Sequence, residues 1–259
     1  MIGAFFACVA SSALAPVAAQ PFMPGKSDPA PLDADRQLDL AKRLLAAGQN
    51  EAAIEQLHPV IAADPKHFDA QLLVGVAYHK LRRYEQAQGY LEKARELAPN
   101  DARPNYPLGF CLYYLGQREA ARKAFEKFIA AFPDHGHAYL GLGLIEFDDD
   151  RLDEAAACFK KCIELNARYA DDPTRASFQG SGHVRLGDVY ERQQKFEQAR
   201  DQYIKATQFA EADASLYAAY FKLARVQNRL GDHEGAKKSM QKFEETKDKI
   251  RPSEGFPEQ

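Results

Sequence analysis

The hydrophobic positions of the chain follow a helical spacing in blocks of about a dozen residues, and short polar turns separate the blocks. One pair of blocks reads LLVGVAYHKL and AQGYLEKARELAP, with the turn RRYEQ between them, over residues 72–99. Apolar residues at intervals of three and four positions predict amphipathic helices. The pattern therefore predicts short helices arranged as antiparallel pairs.

The same residue types recur at intervals of 34 positions. The recurring residues are Gly75, Gly109 and Gly143, then Pro65, Pro99 and Pro133, then Ala53, Ala87, Ala121 and Ala155. A fixed period of this length across several residue types indicates a stacked array of repeats, in which each unit contacts only its neighbours.

The prolines fix the register of the repeat, because proline cannot continue the backbone hydrogen bonds of a helix and so marks the end of the second helix, at position 32. With that register, the units begin at Ala34, Phe68, Ala102, Gly136, Gly180 and Tyr217. Small residues at positions 8 and 20 allow the two helices to approach closely, and larger residues at positions 7, 11, 17 and 24 fill the surrounding space.

In period, size pattern and placement of helix-breaking residues, the units resemble tetratricopeptide repeats. The resemblance covers the units from residue 34 to residue 250, although the chain has no tryptophan and Ala167 stands where unit four would have its proline. It implies an all-α, right-handed superhelical solenoid of about six antiparallel helix pairs. It also implies that the first helix of each pair lines a concave groove.

The predicted organisation has six parts. They are a signal peptide over 1–19, a flexible lead-in over 20–33, units one to four over 34–166, an insertion over 167–179, units five and six over 180–250 and a loose tail over 251–259. The insertion is interpreted either as an extended helix that then turns or as a projecting loop. Such a segment can belong to a binding face or be a tolerated surface loop.

The first nineteen residues carry no charge and end with small side chains at Val17 and Ala19. They predict export to the periplasm or cell exterior, with cleavage before Gln20. The alternatives are an uncleaved membrane anchor and a cytosolic product, since no basic residue precedes the apolar stretch. No later apolar run is long enough for stable membrane insertion after cleavage.

Charge and motifs narrow the class of function. The 34 basic and 37 acidic residues give a net charge of −3, which argues against a nucleic-acid partner. The chain has no HExxH, no phosphate-binding glycine loop, no GxSxG and no paired CxxC. We therefore predict a non-catalytic protein with no cofactor.

Two clusters could bind a metal but have a simpler interpretation. His135 and His137 flank a glycine between units, where surface histidines are expected. Cys158 and Cys162 lie one helical turn apart, but position 27 is normally a small core residue, so Cys162 is predicted to be a buried hydrophobe. We predict no metal site.

The resemblance places positions 2, 5, 9, 12 and 13 of each unit on the groove. The predicted partner-binding residues at these positions are Lys80 of unit two, Arg103, Tyr106, Phe110, Tyr113 and Tyr114 of unit three, and Phe147 of unit four. Such rings on a solvent-facing helix side would form an exposed apolar patch, which usually marks an interaction surface. Alternatively, the rings cover one another or pack under the insertion.

These observations predict a scaffold or adaptor that binds a protein or peptide, as a helix or an extended segment, in the groove. The alternatives are a structural component of a cell-envelope assembly and an accessory protein that binds a small or carbohydrate ligand. Capture of acidic C-termini, known in the family, is not expected, because Leu38 and Leu73 stand where that function needs Lys and Asn.

Overall fold

The computed structural model describes residues 33–168, 172–209 and 217–250, with residues 173 and 248–250 described by backbone alone. The described residues form twelve α-helices and no strand, within a compact unit that begins at Asp33. The predicted signal peptide, the lead-in up to residue 32 and the predicted tail lie outside the described residues.

The helices pair in chain order. The first helices of the pairs are α1 (Ala34–Ala46), α3 (Phe68–Lys80), α5 (Asn105–Tyr114), α7 (Gly136–Asp148), α9 (Pro173–Arg192) and α11 (Ala218–Arg229). The second helices are α2 (Asn50–Ala63), α4 (Tyr84–Leu97), α6 (Arg118–Ala131), α8 (Leu152–Ala167), α10 (Phe196–Thr207) and α12 (His233–Ile250). Each second helix packs on its own first helix, and every second helix except α12 also packs on the first helix of the next pair. The first helices α1, α3, α5, α7 and α9 touch in succession. The predicted all-α stack of six helix pairs is confirmed.

Tight turns join the two helices of a pair. Gly48, Gly116 and Gly231 adopt φ angles of 75°, 76° and 82° just after a first helix. This left-handed conformation closes the helix end, and the next amide then donates to a carbonyl of the last turn, as from Gln117 to Leu112 at 2.8 Å. The glycines at position 15 therefore reverse the chain between paired helices.

The core repeats with the sequence. The side chains at position 24 of units one to five are fully buried: Leu57, Leu91, Phe125, Phe159 and Tyr203. From unit two to unit five, each lies against the glycine at position 8 of its own unit. A Cβ atom on Gly109, for example, would lie 2.9 Å from the ring of Phe125. Gly141 of the following unit leaves room for the same ring, since its Cβ would lie 2.3 Å from it. Glycines on two successive first helices thus enclose one side chain and join the units.

The interval between units four and five contains part of a helix. α8 ends at Ala167, and α9 begins at Pro173 after Asp172, whose carboxylate accepts hydrogen bonds from the amides of Thr174 and Arg175. Residues 173–179 of the predicted insertion are therefore the first two turns of α9. We call them the α9 extension.

None of the described helices is both long and apolar enough to cross a membrane.

Candidate functional site

The predicted site residues on α5 separate into two groups on the first-helix face, which is the surface formed by positions 2, 5, 9, 12 and 13 of the first helices. Tyr106 lies in the first turn of α5 and Phe110 near its middle, whereas Tyr113 and Tyr114 lie in its last turn. The two groups have different neighbours and different exposure, so they differ in whether a partner can contact them.

The first group is packed around His137 of α7. The hydroxyl of Tyr106 hydrogen-bonds to Nδ1 of His137, and the ring of Phe110 stacks on the same imidazole with centroids 5.0 Å apart. Phe178 of the α9 extension covers the imidazole, with a centroid distance of 3.8 Å and an interplanar angle of 20°. Phe110 is only 5% exposed, so of the two alternatives for its ring, an open surface and a packed one, the structure shows the packed one. The rings pack under the segment first interpreted as an insertion.

Burial sets the protonation of this group. Desolvation, followed by the charges of His135 and His79, lowers the pKa of His137 to about 3. Burial, followed by the charge of Lys80, lowers the pKa of His79 to about 4. Burial also raises the pKa of Tyr106. At neutral pH the tyrosine is therefore a hydrogen-bond donor, and we assign the proton of the neutral imidazole of His137 to Nε2 from this hydrogen bond.

Lowering the pH from about 7.5 to about 5 is expected to destabilise the fold. An unfolded chain protonates its histidines near pH 6.5, whereas folded His137 and His79 take up protons near pH 3 and pH 4. The unfolded state thus binds more protons in this window. The stabilisation is complete above pH 6.5 and decreases as the pH falls, by up to about 1.4 kcal/mol per pH unit for each histidine.

Urea denaturation at several pH values checks this expectation. His137→Gln should give a smaller decrease in the free energy of unfolding between pH 7.5 and pH 5 than the wild type. The matched control is His58→Gln, at an exposed position of α2, which should keep the wild-type slope. Equal slopes for the wild type and His137→Gln would contradict the buried, neutral state of this imidazole.

The second group leaves aromatic surface open. Tyr114 is 54% exposed, and its ring stacks on Tyr84 of α4 with centroids 4.6 Å apart and an interplanar angle of 16°. The hydroxyl of Tyr113 donates to Asp148 at 2.9 Å, and burial together with this carboxylate raises the pKa of Tyr113 to about 12. The stacked pair is therefore a rigid, partly exposed aromatic platform.

Phe147 extends this group towards α9. The guanidinium of Arg192 lies over its ring, 5.2 Å from the centroid, and also forms an ion pair with Asp150 at 3.0 Å. Phe147 itself is half-buried. The side chain of Arg192 is 47% exposed, so its remaining donors are accessible to a ligand.

Lys80 and Arg103 link successive units. The ammonium group of Lys80 donates to the carbonyl of Leu45 near the end of α1 at 2.9 Å. Arg103 forms ion pairs with Asp101 at 2.8 Å and Asp69 at 3.3 Å. Its side chain is nevertheless 51% exposed. The role of both residues in binding a partner stays a prediction.

Beyond Phe147, the first-helix face is charged. A cavity of about 330 Å³ is lined by Phe147, Asp188, Glu191, Arg192, Lys222 and Arg225. Tyr203 donates from its hydroxyl to Asp188 at 2.8 Å and to Glu191 at 3.0 Å. Burial and these two carboxylates raise the pKa of Tyr203. The carboxylates also pair with Lys222 and Arg225, so the acidic groups of the cavity are already satisfied by cations of the next unit.

Cys158 and Cys162 are poor nucleophiles and poor metal ligands. Burial raises the pKa of Cys158 to about 11 and that of Cys162 to about 12, so both remain protonated thiols at neutral pH. Cys162 is fully buried, as predicted. Within the described ranges, no group of three or more His, Cys, Asp or Glu residues could hold a metal ion.

Sequence reasoning missed the roles of His137 and Phe178, the two residues that decide which aromatic rings are accessible to a partner. His137 is expected to be a surface histidine at position 2 of the groove stripe, whereas Phe178 covers it and the hydroxyl of Tyr106 hydrogen-bonds to it. Phe178 lies two residues before the predicted start of unit five, and an aromatic residue at helical spacing from that start could have indicated that the helix begins earlier.

Comparison with known proteins agrees with the architecture. Models described as tetratricopeptide repeat match residues 38–102, 112–173, 181–213 and 218–246. The RNA polymerase-associated protein CTR9 of Caenorhabditis elegans is 24% identical over 203 residues, which are 77% of this chain and 17% of that protein. The protein O-mannosyl-transferase TMTC1 of Homo sapiens is 24% identical over 139 residues, which are 52% of this chain and 16% of that protein. The chain thus spans less than a quarter of the length of these relatives.

Solved structures show the same fold. PilF of Pseudomonas aeruginosa superposes with a TM-score of 0.64 at 19% identity, covering 85% of this chain and 92% of that chain. The Cut9–Hcn1 complex gives a TM-score of 0.70 at 18% identity, covering 86% of this chain and 41% of that chain. These likenesses support the fold and no specific activity. With repeat models matching from residue 38 to residue 246, the chain belongs to the tetratricopeptide repeat family.

Proposed function

We propose that the protein is a non-catalytic interaction scaffold that binds a peptide or helix of a partner protein on its first-helix face. The observation that carries the proposal is the exposed Tyr114 ring stacked on Tyr84. Tetratricopeptide repeats suggest a protein-interaction role in general. The platform offers a partner side chain a rigid, partly desolvated surface on which to pack. Aromatic residues of this kind supply much of the binding energy of protein interfaces.

The site extends from the Tyr84–Tyr114 platform to the charged cavity. The α9 extension limits the site on one side, because Phe178 covers His137, on which Phe110 stacks. Towards the C-terminus, the face carries three cations and three carboxylates: Arg192, Arg225 and Arg229, with Asp148, Asp188 and Glu191. These charges would set the orientation and association rate of the ligand more than its affinity.

Export remains part of the proposal. It rests on the uncharged first nineteen residues and places the scaffold in the periplasm or outside the cell. Mass spectrometry of protein recovered from the culture or periplasm should find an N-terminus at Gln20. A retained Met1 in that material would count against cleavage.

Comparative capture from cell extracts tests the binding surface. Tyr113→Ser with Tyr114→Ser should remove partners that the wild type retains, because the double change deletes the accessible rings of α5. The matched control is Phe132→Ser with Ile204→Ser, since both side chains are 41% exposed and lie on or just after second helices. Loss of the same partners from the control, with retention by the tyrosine variant, would place binding on the second helices instead.

A further inference from the structure

The last unit has an open end that no internal unit has. The side chain at position 24 is fully buried in the five earlier units, as with Phe125 and Tyr203, but Met240 at the same position of α12 is 38% exposed. In unit three, the following first helix completes the burial by placing Gly141 against Phe125. Met240 therefore lies where another helix would pack.

The surface around Met240 is a groove between α11 and α12. It encloses about 730 Å³ and is lined by Phe221, Ala224, Arg225, Asn228, His233, Ala236, Lys237, Met240, Gln241 and Glu244. Phe221 is 44% exposed. An open groove with two large apolar side chains is typical of an interaction surface, because repeat arrays otherwise end in polar faces.

The opposite end of the array has such a polar face. At positions 3, 6 and 10, α1 carries the exposed residues Arg36, Asp39 and Arg43, and the last two form an ion pair at 2.7 Å. At the same positions α7 has Ala138, Gly141 and Ile145, all buried. Packing α1 of a second molecule into the groove would bury three charged groups. Head-to-tail growth of the array is therefore unfavourable.

The charges of α12 favour a different arrangement. Its exposed face carries Glu234, Lys237, Glu244 and Lys247 around the Met240–Gln241 pair. A twofold axis that passes between residues 240 and 241 brings two α12 helices together antiparallel. Residue n of one helix then lies opposite residue 481 − n of the other. The axis therefore places Lys237 opposite Glu244 and Glu234 opposite Lys247 of the second helix. The helix is self-complementary in charge about the centre of the groove.

Position 21 already forms this kind of contact inside the array. Arg122, at position 21 of unit three, forms ion pairs with Asp149 at 2.6 Å and Glu146 at 3.3 Å, both on the following unit. Lys237 occupies position 21 of unit six. A carboxylate supplied by a helix in the groove would repeat the internal contact.

We propose that the α11–α12 groove binds a second copy of the same chain, so that two molecules associate tail to tail through antiparallel α12 helices. The interface is isologous, with the same surface contributed by both molecules, and it closes at two copies. Met240 and Phe221 supply its apolar centre, and the two kinds of charge pair, each occurring twice, set its register. This surface adjoins the first-helix site of the proposed function, because Arg225 lines both the groove and the charged cavity.

Light scattering and sedimentation equilibrium on the full chain test the dimer. Between about 1 and about 100 μM, the weight-average mass should rise from that of the monomer towards twice that value. Lys237→Glu and Glu244→Lys should each weaken association about tenfold or more, because each places like charges opposite one another. Mixing the two single variants should restore association, since both Lys237–Glu244 contacts regain opposite charges in the mixed dimer.

Three results would overturn the proposal. They are a monomer at every concentration, a dimer that both charge variants leave unchanged, and a dimer that appears only after removal of residues 251–259. The last result would mean that the chain's own tail covers the groove. Circular dichroism of each variant checks that the helices remain folded, so a loss of association can be assigned to the surface.

Discussion

Replacing Phe125 by alanine is expected to lower the free energy of unfolding by about 3–5 kcal/mol. The ring is fully buried and lies between Gly109 of its own unit and Gly141 of the next. Glycines have no side chain that could move into the space, so the cavity remains after the substitution. Urea denaturation followed by circular dichroism measures the loss.

The matched control is Phe132→Ala. This residue follows α6 directly and is 41% exposed, so its truncation is expected to change the free energy of unfolding by less than about 1 kcal/mol. Similar losses for both variants would mean that the glycine-enclosed ring does not join units three and four as the packing indicates.

Phe110→Ala should have a similarly large effect, with a loss of about 3 kcal/mol or more. Although position 9 of the repeat places this residue on the groove stripe, its ring packs on His137 and meets Phe125 edge-on with centroids 4.9 Å apart. Tyr114→Ala at the other end of α5 should change stability by less than about 1 kcal/mol, because that ring is mostly exposed. Thermal unfolding of the two variants gives the comparison.

If the Phe110→Ala variant is stable but no longer binds its partner, the ring of Phe110 belongs to the binding surface. We expect the reverse. The destabilised Phe110→Ala variant should keep its partner at low temperature, where it is still folded, and the stable Tyr114→Ala variant should lose it. The pair of variants thus separates a structural ring from a binding ring within one helix.

The repeat architecture could be predicted because it depends on local rules repeated many times. Gly75, Gly109 and Gly143 at position 8 pair with large residues at position 24, and each pair is a short-range consequence of two antiparallel helices. The position 15 glycines similarly adopt the left-handed conformation that ends a helix. Periodic residues therefore carry the fold.

The accessible part of the site could not be predicted in the same way, because it depends on a contact outside the period. Phe178 reaches His137 across 41 residues of sequence only because α9 begins at Pro173 instead of at the start of the repeat. The extended helix covers His137, on which Tyr106 and Phe110 pack. Tyr114 keeps its exposure since it stacks on Tyr84 beyond the reach of the α9 extension.

Photo-crosslinking shows directly whether a partner protein binds on the first-helix face. A photoreactive phenylalanine analogue in place of Tyr114 should give a discrete adduct with a partner protein. The same analogue in place of Ile204, which is comparably accessible on α10, should give none. We expect an adduct from the Tyr114 position alone, and an adduct from the Ile204 position alone would mean that the partner does not bind on the first-helix face.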